Sequence, residues 1–146
     1  MINLNLLRKA MDEIAARKGD FTLFALVMRV DAPDAWDLVV SARWLDGRKL
    51  NATSEFVQLL AKSIGEESLR QFSRIATVDS DATIVKFIRA NFPVEREENI
   101  FHTQSFDLDG LQVQEAIIFR AKKVKGNSAR LLNPRLQPLA QRTRRG

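Results

Sequence analysis

The sequence predicts an α+β fold, a mixed sheet of about five strands with helices packed on it, followed by a basic C-terminal extension. Three observations carry that expectation. Leu4, Leu7, Met11 and Ile14 recur at the three-to-four spacing of an amphipathic helix. Phe21 to Val30, FTLFALVMRV, is apolar on both alternating faces, as befits an interior strand covered on each side. Asp109-Gly110 lies between two extended runs, and both residue types tolerate the positive φ of a two-residue hairpin turn.

The elements follow in the order α-β-β-α-β-α-β-β. Gly19 is placed to stop the first helix. After the Phe21–Val30 strand, Ala32-Pro33-Asp34 breaks the chain. Trp36 to Leu45 then alternates, with Leu38, Val40, Ala42 and Trp44 on one face and Asp37, Val39, Ser41 and Arg43 on the other. The short link predicts an antiparallel pair. Asp46-Gly47 reads as a turn, and Thr53 or Ser54 as the cap of a helix burying Phe56, Leu59, Leu60 and Ile64. Gly65 interrupts that helix, Glu66 to Phe72 completes it, and Ser73 to Asp79 forms a short strand. Ser80 or Asp81 is the expected cap of a further helix bearing Ile84, Phe87, Ile88 and Phe92, which Pro93 stops. Counted outward from the Asp109-Gly110 turn, Phe106 should face Val113, Gln104 Glu115, His102 Ile117 and Ile100 Phe119.

The 146 residues fit one domain, expected over 1–125, with an arm over 126–146. The arm holds five arginines, prolines 134 and 138 and no acid. Its leucines at 131, 132, 136 and 139 are scattered among the arginines, so it has no core of its own to build. Charge is unevenly spread: Met1–Glu115 carries 14 Lys and Arg against 18 Asp and Glu, and Ala116–Gly146 carries 9 basic residues and no acid. The basic pI thus describes one end of the chain.

There is no cysteine, which removes disulfides, thiolate nucleophiles and cysteine-ligated metals. The longest apolar run is far short of a membrane span, and the first residues have the wrong charge order for a signal peptide. A cytoplasmic protein away from membranes is the expectation.

The single histidine, His102, would have to serve any histidine-based chemistry, and the hairpin register sets Glu115 diagonally across from it on the same face. Asp79-Ser80-Asp81 and Asp107-Leu108-Asp109 space carboxylates as a hard cation would accept, but each has a simpler reading as a cap or a turn. Asp37 and the Asp46-Gly47-Arg48 triplet loosely imitate the acid and acid-x-Lys arrangement of metal-dependent nucleases. Phosphate-binding glycine loops, His-Glu-x-x-His, Gly-x-Ser-x-Gly and Ser-x-x-Lys are all missing from the sequence. No catalytic machinery, resident metal or cofactor is therefore predicted.

The basic end offers Lys122, Lys123, Lys125, Arg130, Arg135, Arg142, Arg144 and Arg145 as partner- or phosphate-binding residues. No aromatic residue follows Phe119, which disfavours base stacking. The sequence thus predicts a small binding protein whose arm docks on a partner subunit, as in a homo-oligomer, or on an acidic macromolecule. The alternative is a nucleic-acid-associated protein, either a nonspecific phosphate binder or a divergent metal-dependent nuclease using Asp37, Asp46 or Glu115.

Overall fold

A computed structural model describes residues 2–47, 49–95 and 100–123. Ten elements follow one another: α1 (Leu4–Lys18), β1 (Phe21–Arg29), β2 (Asp37–Ala42), α2 (Lys49–Ile64), α3 (Glu66–Leu69), β3 (Arg74–Thr77), α4 (Thr83–Asn91), β4 (Phe101–His102), β5 (Phe106–Leu108) and β6 (Leu111–Ala121). The α+β class and the mixed sheet match the expectation from sequence. The strand order is β3-β2-β1-β6-β4, with β5 also paired to β6; β2 and β3 run parallel, and the other pairs are antiparallel.

Alternation along β1 explains why both faces of the sheet are covered. Phe24 and Leu26 point into a core with Leu7, Met11 and Ile14 of α1 and Phe56 and Leu60 of α2. Leu23, Ala25 and Val27 point the other way, to Val85, Phe87 and Ile88 of α4. Phe24 centres the first core: its ring meets those of Phe21, Phe56 and Phe119 edge-on, with centroids at 5.0, 6.3 and 5.8 Å. Such geometry sets the positive ring edge against the negative face of its neighbour.

The last strand, β6, is the longest, and it lies inside the sheet with β1 on one side and β4 and β5 on the other. Two register shifts, between Phe24 and Ala25 and between Met28 and Arg29, carry it along β1. They also keep apolar residues on the correct faces. Val113, Ala116, Ile118 and Ala121 reach the α4 side although some are three residues apart, while Ile117 and Phe119 reach the α1–α2 side.

Several boundaries differ from the sequence reading, each for a local reason. The run before Asp109-Gly110 is two strands, which raises the count to six. It breaks at Thr103, whose hydroxyl accepts from Ala116 N at 3.0 Å and donates to Gln104 O at 2.8 Å. The Gln104–Glu115 position falls in that break, and Ile100 lies just outside β4. The remaining register stands: Phe106 pairs Val113 and His102 pairs Ile117. Asp109 and Gly110 adopt φ of 48° and 85°, as the turn requires. β2 ends at Ala42 because Leu45 and Asp46 both donate backward to Ala42 O, so Trp44 leaves the strand. It instead gives its indole N–H to Gly19 O at 3.1 Å. α2 begins at Lys49, so Thr53 is inside the helix, where its hydroxyl meets that of Thr77. At α4 the cap position belongs to Ala82, with no side-chain cap, because Ser80 is engaged elsewhere.

The ring cluster yields a direct test. Phe24→Ala should lower unfolding stability by about 4 kcal/mol, read as a fall in urea midpoint with little change in slope.

Candidate functional site

The acids and the histidine singled out in the sequence fall at separate places in the fold. Asp37 opens β2 and is buried on the α4 side of the sheet, its side chain 3% exposed. One of its oxygens, Oδ2, accepts from Arg29 Nε and from an Arg74 terminal nitrogen, each at 3.0 Å. Register brings these three together: Asp37 pairs Arg74 across the parallel ladder, and Val27, opposite Asp37, is two residues before Arg29. Two guanidinium groups thus neutralise one buried carboxylate at the place where β1, β2 and β3 meet.

Asp46 stands beyond the other end of β2, roughly 17 Å of strand from Asp37, so the two acids do not converge on one point. Its Oδ1 accepts from Ser80 N and Ser80 Oγ at 2.9 and 3.1 Å. Asp79 returns the contact, accepting from Gly47 N at 3.1 Å. Two turns, one after β2 and one after β3, are therefore laced together by reciprocal carboxylate–amide bonds. Ser80 Oγ also lies 3.2 Å from Ser41 Oγ and 3.4 Å from Thr22 Oγ1, which satisfies hydroxyls under the loops. Asp79 and Asp46 are tying backbone here. Among the described residues, no group of three or more His, Asp or Glu side chains is placed to hold a metal ion.

His102 and Glu115 do come together, with Nδ1 3.9 Å from Oε2, on the α1–α2 side of the sheet. Both side chains are well exposed, so solvent screens the pair. On the opposite face of β4, Phe101 stacks on Phe92 with centroids 5.7 Å apart and planes inclined at 26°. Phe101 is 45% exposed although it is a phenylalanine on a strand.

The described end of β6 is held from several sides. Lys122 N donates to Thr22 O at 3.0 Å, and Lys122 O accepts from Arg89 Nε at 2.8 Å. Lys123 N donates to Glu95 Oε2 at 2.8 Å, while Lys122 Nζ and Arg120 Nε stand 3.6 Å from the Asp20 carboxylate. Arg120 also donates to Glu95 O. Beside this collar, Val94 and Ala121 exchange both backbone hydrogen bonds. Lys125, Arg130, Arg135, Arg142, Arg144 and Arg145 lie outside the described residues.

This collar changes the charge picture drawn from sequence. Through Lys123 the chain holds 17 Lys and Arg against 18 Asp and Glu. Arg120 and Lys122 stand beside Asp20, so the described end of β6 already meets an acid, and the sequence through Lys123 is close to neutral, with six basic residues following it. Sequence reasoning missed Asp20, Arg89 and Glu95 as the collar and Phe92–Phe101 as an exposed stack. The only sequence signal was the acid of Pro93–Asn99, placed before a strand that opens on Phe101.

No match was found to any family model, curated protein or solved structure. Among the described residues, no helix is long and apolar enough to cross a membrane.

The Asp37 arrangement predicts a large cost for its removal. Asp37→Ala leaves Arg29 and Arg74 facing each other and should cost about 3 kcal/mol in urea unfolding. Arg74→Ala, at the exposed end of the same pair, should cost under about 1 kcal/mol.

Proposed function

We propose that the protein is a small binding protein whose C-terminal arm, residues 126–146, docks on an acidic macromolecular face. The observation that supports this reading is the collar: four contacts fix Lys122 and Lys123 against Thr22, Asp20, Arg89 and Glu95. An arm that starts from a fixed point searches a limited volume, which raises its local concentration at a neighbouring surface. Because the globule is near neutral, the arm's five arginines have no matching net charge on the body and are available to a partner. The leucines at 131, 132, 136 and 139 favour a protein face over a bare polyphosphate, since they add apolar contacts that phosphates do not use.

A second reading, nonspecific phosphate binding, draws on the exposed Lys123, which the arginines follow in sequence. The two differ in what they bind. Labelled full chain and a 1–125 truncation should be titrated with poly-glutamate and with mixed-sequence duplex DNA. The docking reading expects poly-glutamate binding that is lost on truncation. Should DNA bind instead, five arginine–phosphate contacts would weaken it several hundredfold, roughly, between 50 and 200 mM salt. Equal binding by the truncated chain would remove the arm from either role.

A further inference from the structure

β3 forms one edge of the sheet, and its outer side meets no other strand among the described residues. Val78 N donates to Val40 O at 2.9 Å, in a parallel ladder that pairs Val40 with Thr77. The period of two along that ladder turns the N–H and C=O of Ala76 toward β2 and those of Ile75 and Thr77 outward. Edge strands are commonly protected by proline, lysine or a bulge. From Phe72 to Val78 there is no proline, lysine or glycine, and the register with β2 is unbroken along β3. The charged side chain of the strand, Arg74, reaches back to Asp37 on β2 at 3.0 Å.

We infer that this edge pairs with the same edge of a second copy of the chain, antiparallel about a twofold axis at Ala76. The register follows from the outward groups. Both Ile75 and Thr77 are used when Ile75 of each copy stands opposite Thr77 of the other, and each such pair exchanges both of its N–H···O bonds. Ala76 then faces Ala76 of the second copy across the axis. A pair in that position brings its Cα atoms to about 4.5 Å, the closest approach in an antiparallel ladder, and a methyl group fits there.

Charge favours a second copy as the occupant. The residues leading into β3, from Arg70 to Arg74, carry exposed Arg70 and Arg74 and no acid. Those leaving it, from Val78 to Ala82, carry exposed Asp79 and Asp81 and no base. An antiparallel pair sets the basic entry of each strand toward the acidic exit of the other, so the edge is complementary to itself. The contact is small. The four residues of β3 on each side bury far less than the roughly 1,000 Å² of a stable interface, so the dimer is weak, with a Kd of order 100 μM. None of the arm's residues takes part, and the pairing stands apart from the docking reading.

Sedimentation equilibrium of the full chain from about 10 μM to about 1 mM should show monomer passing into dimer. Ala76→Lys sets two ammonium groups together at the axis and should weaken association at least about tenfold, while Ala76→Ser should leave it within about twofold. Hydrogen exchange of the unaltered chain locates the contact without any substitution. The Ile75 and Thr77 amides should exchange about fivefold more slowly at the top of that concentration range than at the bottom. A monomer throughout the range, exchange at Ile75 and Thr77 that ignores concentration, or a dimer untouched by Ala76→Lys each overturns the pairing.

Discussion

The fold depends on β6 lying within the sheet. A C-terminal strand at an edge could fray and take its charges with it, but β6 is paired with β1 on one side and with β4 and β5 on the other. Its apolar residues also reach both cores, through Ile117 and Phe119 on one face and Ala116 and Ile118 on the other. Loss of β6 would therefore open two cores at once. This double role ties the C-terminal end of β6 to the two cores, and the collar fixes the two residues that follow, Lys122 and Lys123.

The polar groups of the globule serve the same end. Asp37 joins three strands through Arg29 and Arg74, and Asp46 and Asp79 lace together the turns that follow β2 and β3. One Asp37 oxygen, Oδ1, has no hydrogen-bond partner among the described residues, so the site trades some desolvation for the meeting of three strands. These acids resembled chemistry in the sequence because carboxylates near turns look alike, whether they hold a cation or a backbone amide. Only the partner of each oxygen separates the two, and spacing along the chain does not supply it.

The parts of the fold that were legible from sequence are those set by local periodicity and turn chemistry. The α1 stripe, the two-faced apolar run of β1 and the Asp109-Gly110 turn each express a single local rule, and the hairpin register follows by counting. What escaped reading depends on contacts distant in the chain. Thr103 interrupts its strand because its hydroxyl replaces a ladder bond to Ala116, and Ser80 fails to cap α4 because Asp46, far back in the sequence, claims it. The collar was hidden for the same reason, since Asp20, Arg89, Glu95 and Lys122 are scattered through the chain and meet only when β6 is placed. The His102–Glu115 pair was found because it needed nothing beyond the hairpin register.

We propose that the chain through β6 folds without the residues that follow it. Equilibrium urea unfolding of residues 1–125, followed by both tryptophan fluorescence and far-ultraviolet circular dichroism, tests this most directly. The account predicts one cooperative transition, coincident by the two probes. A truncated chain with no cooperative transition would mean that the arm completes the core, and would contradict it.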